Sequence, residues 1–417
     1  MTDRVEYDWL SIIKLNIFAF RAAGLWPSAD GYKPNFYFLR SITIIFIFGF
    51  IQTASQTFKL LTNLTDMQVV AGTAFMVISC WLMLMKMFSI ASNIQTLRKL
   101  LTTLDDEMFQ VLSNEQIENI APSVKTWKLA YNLISGSIAC SVIFWTVDSF
   151  RRRRLPFISW YPYNTTGSPL YEITCVHQLS SLSFAAYINI NMDTFIAVFS
   201  LYAAAQFDIL CDNLKNLQPE VFREGLVVCV KHHRAIVNFV KSYNTTFDSI
   251  ILVQFFTSAA SLGITMFLVV GVPPLSSDFF SFLFYANGVI IEIFIYCWFG
   301  NELQIKSGNV FVVAFESHWT EASSEAKRDL IFFMLRTQKF LKISALNLFD
   351  LTLENFLRIL KTAYSYFALV SRYDKWGTWI QAALFYAEHF DIDIDIDIDI
   401  DIDIDIDSTL EKQQSLD

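Results

Sequence analysis

Long apolar runs constrain the fold of this chain more than any other feature of its sequence. A helix rises about 1.5 Å per residue and needs about 20 mostly apolar residues to cross the hydrocarbon core of a bilayer. Runs of that length predict membrane spans at about 38–57, 67–91, 129–148, 173–203, 250–272, 279–300 and 345–370, of which the seventh is the most polar. The expected fold is therefore all-α, with seven transmembrane helices in one domain over residues 1–373.

The composition agrees with a membrane protein, whereas the net charge says nothing about partners. Hydrophobic residues make up 54% of the chain and charged residues 17%, and soluble proteins average about 25% charged residues. The net charge of −9 comes from an Asp-Ile repeat over 391–407, which holds nine of the 40 acidic residues and leaves 31 acidic against 31 basic. Membrane lipid is the expected surrounding, and no nucleic-acid partner is implied.

The distribution of Lys and Arg between the loops predicts the orientation in the membrane. Cytoplasmic loops carry an excess of these residues. With the N-terminus inside, the inner segments hold 20 of them and the outer segments eight, although the run Arg151–Arg154 falls outside. The fourth span is long enough to project inward past the bilayer, and Asn189, Asn191 and Asp193 in its lower part are less costly in such a cytoplasmic extension than in lipid. We expect a cytoplasmic N-terminus, an extracellular C-terminus and a cytoplasmic layer of helical extensions that acts as an anchor.

Three glycosylation sequons bear on this orientation. Asn63 and Asn164 lie in predicted outer loops and are expected to carry glycans, whereas Asn244 lies in a predicted inner loop and is expected to stay bare. Charged residues precede the first apolar run, so we expect no cleavable signal peptide.

The sequence carries no catalytic or metal-binding motif. Its six Cys are scattered without a close pair, and most fall in predicted spans, where Cys is a small apolar filler. There is no His-Glu-x-x-His motif, no Gly-rich phosphate loop and no Ser-His-Asp arrangement in a fitting context. We expect no enzyme activity, no cofactor and no metal site.

Two regions carry patterns that are more specific than apolar length. The second outer loop reads Leu-Pro-Phe-Ile-Ser-Trp-Tyr-Pro-Tyr over 155–163, followed by Ser-Pro-Leu-Tyr over 168–171 and Gln178. The C-terminal region reads Tyr-Cys-Trp-Phe-Gly-Asn-Glu-Leu over 296–303, Ala-Phe-Glu-Ser-His-Trp over 314–319, Arg-Thr-Gln over 336–338 and Asn-Phe-Leu-Arg-Ile-Leu-Lys-Thr-Ala-Tyr-Ser-Tyr-Phe-Ala-Leu over 355–369. In order and spacing over about residues 5–373, the chain closely resembles the insect odorant receptor family. It resembles the tuning receptors, since it lacks the longer second inner loop of the shared co-receptor.

The resemblance implies a ligand-gated, non-selective cation channel. Each subunit of such a channel, a tetramer formed with the co-receptor, brings its last helix to a central pore. A small volatile odorant binds in the outer half of the helix bundle. The inner extensions of helices four to six and the start of helix seven form the anchor. The implied location is the plasma membrane of olfactory sensory neuron dendrites.

An odorant pocket needs an enclosed apolar cavity with a few polar groups, and aromatic rings supply much of its contact area. The outer halves of the spans offer Phe75, Ser79, Ser141, Phe144, Trp145, His177, Phe184, Met266, Phe280, Phe284 and Tyr285. Each of these residues is also compatible with simple core packing.

Three ionisable residues in the spans call for separate expectations. His177 lies near a helix end and is expected to be a hydrogen-bonded structural residue. Lys86, near the inner end of the second span, is expected to snorkel toward the interface. Glu292 lies in the middle of the sixth span and needs a partner there, for which we expect an inter-helix hydrogen bond or charge pair rather than an ion site.

The seventh span carries a polar stripe at steps of three and four, which places its members on one helical face: Asn347, Asp350, Glu354, Arg358, Lys361 and Ser365. One interpretation is a water-facing stripe that leads into a pore. The other is a Glu354–Arg358 pair with contacts in the cytoplasmic anchor.

The apolar segment 364–370 follows that stripe, and such a segment can close a pore by dewetting. The expected pore and gate residues are Tyr366, Leu369 and Val370. Packing against lipid or other helices is the alternative.

The tail over 374–417 is longer than the family pattern. Nine like charges oppose sheet formation in the Asp-Ile repeat, and a translated dinucleotide repeat beyond the usual stop explains it equally well. We expect disorder and no function over 388–417.

Other receptor and transport classes fit the sequence less well. A G-protein-coupled receptor requires the opposite orientation, and the chain lacks an Asp-Arg-Tyr after the third span and an Asn-Pro-x-x-Tyr in the seventh. A transporter would show an inverted repeat or a pair of broken helices. A gustatory receptor shares the architecture and is the nearest alternative, although the Trp-Tyr-Pro loop and the Tyr-Ser-Tyr-Phe end argue against it.

Overall fold

The computed structural model describes residues 4–27, 36–65, 67–346 and 348–373. The predicted tail over 374–417 and Asn347 of the polar stripe lie outside these residues. Contacts within residues 1–370 form one compact unit, and helices dominate it.

Twelve α-helices follow one another in the described chain, interrupted by short 3₁₀ turns. The helices are α1 Lys14–Ala23, α2 Phe36–Ile44, α3 Gln52–Thr62, α4 Met67–Ser92, α5 Ile94–Leu104, α6 Glu107–Gln110, α7 Asn114–Arg152, α8 Leu170–Lys215, α9 Phe222–Gly271, α10 Ser277–Glu316, α11 Ser324–Thr337 and α12 Leu353–Tyr373. A π-helical segment, Ile45–Ile51, joins α2 to α3. Two antiparallel pairs of short strands complete the fold: β1 Arg4–Glu6 with β2 Val111–Ser113, and β3 Ser344–Ala345 with β4 Phe349–Asp350.

Six of the described helical segments are long and apolar enough to cross a membrane. They are Phe36–Thr62, Val69–Ser92, Asn114–Arg152, Leu170–Lys215, Pro219–Gly271 and Ser277–Glu316. The helix α12 is not among them, because polar and charged residues are spread through it. The prediction of an all-α membrane protein is confirmed.

The predicted start of the seventh span, at about residue 345, was wrong. The strands β3, Ser344–Ala345, and β4, Phe349–Asp350, pair where the span was expected to begin, and helix begins only at Leu353. Leu346 has a φ of 48°, a left-handed conformation that a helix cannot contain. Asp350 pairs with Lys342 at 2.6 Å within this hairpin. Asp350 is therefore not on the helical face that the spacing predicted.

The long helices extend well past their apolar runs. The run predicted at 250–272 is the end of α9, which begins at Phe222, and α10 continues to Glu316 beyond the run at 279–300. Capping fixes some of these ends: Ser113 and Gln116 form a capping box at the start of α7. Helical extensions of the spans were expected, and these helices have them.

The extension of α8 is the centre of the packed core. Every residue of α8 from Ile190 to Phe207 is buried, and Phe199 packs with its ring 5.6 Å from Tyr243. The N-terminal segment reaches this core, since the Tyr202 hydroxyl donates to the Trp9 carbonyl at 2.8 Å and the Trp9 indole donates to the Phe109 carbonyl at 3.0 Å. This extension is thus buried by protein on all sides.

The run of four Arg that departed from the charge rule is largely paired. Arg154 lies 2.7 Å from both Asp148 and Asp278, and Arg152 lies 2.9 Å from Asp148. A further pair joins Arg153 to Glu172 at 3.5 Å. Carboxylates from α7, α8 and α10 therefore offset three of these four positive charges.

Candidate functional site

An internal cavity lies between α4, α7, α8, α9 and α10. Its volume is about 80 Å³. Its wall is mostly apolar and is formed by residues that include Met76, Leu82, Met83, Ile134, Ile138, Val142, Trp145, Leu182, Ala185, Ala186, Ile190, Gly288 and Val289. Polar side chains occupy limited parts of the wall: Ser79, Ser141, Asn189, Gln254, Thr257, Ser258, Ser261, Tyr285 and Glu292. This is the composition expected of a site for a small, mainly apolar ligand.

A buried charged cluster closes one part of this cavity. Lys86 Nζ lies 2.5 Å from Asp193 Oδ1 and 3.3 Å from Glu292 Oε1, and these three side chains are 0%, 2% and 8% exposed. The Tyr296 hydroxyl donates to Asp193 at 2.7 Å, and Gln254 Nε2 donates to Glu292 at 2.7 Å. Buried charges persist only when they are paired and hydrogen-bonded, and this cluster meets that condition with one ammonium for two carboxylates.

One expectation for this region was wrong, and one is confirmed. Lys86 does not snorkel, because carboxylates from α8 and α10 hold its ammonium in the protein interior. Asp193 is buried as the closest partner of that ammonium, so protein and not lipid surrounds its carboxylate. The predicted inter-helix partner of Glu292 exists, in Lys86 and Gln254. A single sequence shows which side chains are charged but not which of them face each other across the bundle.

A polar stripe on α9 was missed. Gln254, Thr257, Ser258 and Ser261 recur at steps of three and four and all line the cavity. The signal was present in the sequence as a polar helical face within an apolar run. Of the residues predicted to contact a ligand, only Met266 lies on this helix.

Four of the predicted ligand-contacting residues line the cavity: Ser79, Ser141, Trp145 and Tyr285. Ser79 and Tyr285 share a hydrogen bond of 2.7 Å between their hydroxyl oxygens. The Ser141 hydroxyl donates to the Ser281 carbonyl at 2.7 Å and so ties α7 to α10. Trp145 is buried at the edge of the wall.

The other seven predicted residues lie elsewhere in the helix bundle. Phe75 stands directly behind the wall, 5.2 Å from the Tyr285 ring. Phe144 stacks on Phe280 and Phe284 on a different face. Phe184 packs against Phe48. Met266 packs against a small separate apolar cluster.

His177 is hydrogen-bonded, as expected for a structural residue. Its Nε2 lies 3.1 Å from the Ile47 carbonyl, and its ring stacks on Phe48 at 6.4 Å. It therefore fixes the π-helical segment against α8 and is not among the cavity residues.

The Trp-Tyr-Pro loop, residues 155–163, is held against one end of the cavity by packing and hydrogen bonds. Phe157 packs 5.1 Å from the ring of Trp145, which itself lines the cavity. The Gln178 side chain accepts from the Phe157 amide at 3.0 Å and donates to the Tyr161 hydroxyl at 3.1 Å. Burial raises the pKa of the Tyr161 phenol, so this group is a neutral hydrogen-bonding partner. These contacts place the loop over the wall of the cavity.

The helix α12 packs against α9 through a glycine. A Cβ added at Gly263 would lie 2.8 Å from Tyr366 Cβ and 3.0 Å from the Ala363 carbonyl oxygen, so only glycine permits this approach. Glu354 and Arg358 pair at 3.2 Å and are 82% and 69% exposed. Tyr366 is half-exposed. The side chains of Leu369 and Val370 lie outside the described residues.

The asparagines of the three glycosylation sequons differ in their exposure. Asn63 is half-buried at the end of α3, and Asn164 is exposed in the loop before α8. Asn244 accepts a hydrogen bond from the Ser344 amide at 3.0 Å. Among the described residues, no group of three or more His, Cys, Asp or Glu is arranged to hold a metal ion.

Comparison with known proteins places these features in a family context. The 7tm Odorant receptor family model matches residues 66–364. The chain is 25% identical over 361 residues to Odorant receptor 46a, isoform A, of Drosophila melanogaster, which covers 84% of this chain and 94% of that protein. It is 22% identical over 408 residues to Odorant receptor Or1 of Anopheles gambiae, with coverage of 88% and 95%.

A solved structure has the same fold. The insect olfactory receptor OR5 from Machilis hrabei, in complex with eugenol, superposes with a TM-score of 0.78 over 87% of this chain and 98% of that chain, at 17% identity. A second structure of the same receptor superposes with a TM-score of 0.77.

Proposed function

This chain belongs to the 7tm Odorant receptor family, and on that premise we propose that it is an odorant-gated cation channel subunit. A volatile small molecule binds in the cavity between α4, α7, α8, α9 and α10. Binding opens a non-selective cation pore that the chain forms with the odorant co-receptor, in a tetramer. The observation that carries this proposal is the cavity itself, with its apolar wall and its restricted polar part.

The composition of the cavity supports a volatile ligand. Burying apolar surface contributes roughly 25 cal/mol per Å², and aromatic and aliphatic groups from five helices surround the space. The hydroxyl pair of Ser79 and Tyr285 and the amide of Gln254 are the polar groups that can orient a ligand. The eugenol complex of the Machilis hrabei receptor, which has the same fold, is a precedent for a small aromatic ligand.

The same proposal includes the pore and the topology. The N-terminus is cytoplasmic, α12 is the seventh span, and Tyr366, Leu369 and Val370 lie along the pore. The exposure of the Glu354–Arg358 pair favours contact with water over contact with lipid, because charges in lipid are expensive. The receptor resides in the plasma membrane of olfactory sensory neuron dendrites. Because the chain belongs to the odorant receptor family, no observation supports the alternative functions of a gustatory receptor or a G-protein-coupled receptor.

Co-expression in oocytes tests the channel. We expect odour-evoked cation current when the chain is expressed with the co-receptor and a broad odorant panel is applied, and no odour response with the co-receptor alone. Absence of any odour-dependent current, with the chain present at the cell surface, would overturn the proposed function.

Glycosylation mapping tests the orientation separately. We expect glycans at Asn63 and Asn164 and none at Asn244. Modification of Asn244 alone would show the inverted topology and would contradict the channel assignment.

A further inference from the structure

A second, smaller cavity lies beside the odorant cavity. Its volume is about 20 Å³. It is enclosed by the π-helical segment and α3, by α4, by α8 and by Phe157 of the outer loop. We call it the side chamber. A space of about 10–15 Å³ is enough for one water-sized group, so the side chamber takes a single oxygen and little more.

Three buried polar atoms at the side chamber have no hydrogen-bond partner among the described residues. They are Gln52 Nε2, Gln56 Oε1 and Ser181 Oγ. The three residues line the chamber and are 5%, 1% and 1% exposed. A buried polar group without a partner costs about 1–3 kcal/mol. Three such atoms at one small space indicate that it is built for a polar occupant.

The polar neighbours of these atoms are already engaged. The Thr53 hydroxyl donates to the Gly49 carbonyl at 2.7 Å. Gln178 is committed to the outer loop through Phe157. Thr53 and Gln178 therefore have no free hydrogen-bonding role in the chamber, and the open positions on its wall are those of Gln52, Gln56 and Ser181. Ser55 Oγ, on the same helix as Gln52 and Gln56, also has no partner among the described residues but does not line the chamber.

The chemistry of the open atoms defines the group that fits. Gln52 Nε2 donates, Gln56 Oε1 accepts and the Ser181 hydroxyl does either. A hydroxyl oxygen satisfies both amides at once, because it accepts one hydrogen bond and donates another. The same pairing holds if both amides are turned together, because one then still donates and the other still accepts. An ether, ester or ketone oxygen only accepts and leaves one amide oxygen unpaired.

The side chamber and the odorant cavity share a wall. Met76, Cys80, Met83, Leu182 and Ala185 line both spaces. The two Met side chains are unbranched and have three rotatable side-chain bonds each, so this wall can rearrange around a ligand at low cost. A ligand with its apolar part in the odorant cavity is therefore adjacent to the open hydrogen-bonding positions.

We propose that the side chamber is a hydroxyl-binding subsite, which makes this receptor selective for alcohols. The apolar part of the ligand occupies the odorant cavity, and its hydroxyl enters the side chamber, accepts from Gln52 and donates to Gln56. This inference rests on the proposed function, because it assigns the ligand class of the same site.

Matched odorants recorded with the co-receptor in oocytes test it. Each straight-chain primary alcohol in the panel is compared with its methyl ether and its parent alkane. We expect the strongest agonists to be alcohols, more potent than their ethers by about tenfold or more, since a site built to bind a hydroxyl rejects analogues that lack it. The double variant Ser181→Ala with Gln56→Met should bring this ratio close to one.

Ser183→Ala is the matched control, because Ser183 lies on the same helix and is exposed. It should leave the ratio at the wild-type value, and surface biotinylation shows whether each variant reaches the membrane. Two results would overturn the subsite: ethers or alkanes as the strongest agonists, or a ratio that the double variant at the cell surface does not change, in which case the chamber holds an ordered water only. Absence of current with every odorant is a different result and counts against the channel itself.

Discussion

The molecule holds two charged clusters of similar chemistry in very different surroundings. The inner cluster, Lys86 with Asp193 and Glu292, is almost completely buried, with one ammonium for two carboxylates. The outer cluster, Arg152 to Arg154 with Asp148, Asp278 and Glu172, has three guanidinium groups for three carboxylates, and its Arg side chains are 43% to 77% exposed. The outer cluster should tolerate the loss of one charge, because its side chains contact water and because Asp148 and Asp278 each have two Arg partners. The inner cluster has no replacement for Lys86.

The largest expected effect is that of Lys86→Met. Removing the ammonium leaves two buried carboxylates facing each other, and breaking a buried pair in this way costs about 3–5 kcal/mol. We expect little or no protein at the cell surface, measured by surface biotinylation. Lys342→Met is the control, since Lys342 pairs with Asp350 but is 40% exposed. Normal surface expression of Lys86→Met would remove the distinction between the two clusters.

A rescue experiment sharpens the same distinction. If unpaired charge is the cause, then Lys86→Met combined with Asp193→Asn and Glu292→Gln should recover much of the lost expression, because neutral buried polar groups cost less than charges. After these two substitutions, the side-chain amides at positions 193 and 292 still offer oxygen atoms that can accept from the Tyr296 hydroxyl and the Gln254 amide. If the triple variant is as poorly expressed as Lys86→Met, the shape of the Lys86 side chain and not its charge is what the fold requires.

The sequence alone predicts contacts between residues that are close in the chain, but not contacts between distant helices. The apolar runs predict the helices, and the Glu354–Arg358 pair follows from i, i+4 spacing. The inner cluster joins α4, α8 and α10 across more than 100 positions between Lys86 and Asp193, so no spacing rule reveals it. The polar stripe of α9 is visible in the sequence as a periodicity, but the sequence does not show that it faces the same cavity as Tyr285 and Glu292.

A smaller effect is expected for Arg154→Gln in the outer cluster. Asp148 keeps Arg152 at 2.9 Å, and ion pairs exposed to this degree contribute about 0–1 kcal/mol. We expect near-normal expression and a small loss of thermal stability in detergent that disappears at high salt, because salt screens exposed charges. A loss as large as that of Lys86→Met would show that burial is not what separates the clusters.

The smallest effect on stability is expected for Arg358→Gln. Its pair with Glu354 is more exposed than either cluster, so folding and surface expression should not change measurably. If α12 lines the pore, single-channel conductance or cation preference should shift instead. A variant with reduced surface expression and unchanged conductance would favour a role of this pair in helix packing.

If the odorant acts in the cavity between the five helices, then filling that cavity should weaken the response to every agonist. Ala186→Leu adds a branched side chain to the cavity wall, whereas Ser183→Leu adds one to an exposed position on the same helix. Concentration–response curves with the co-receptor should show agonist potency reduced by about tenfold or more for Ala186→Leu, at normal surface expression, and unchanged potency for Ser183→Leu. Wild-type potency for every agonist in Ala186→Leu would contradict the cavity as the site of odorant action.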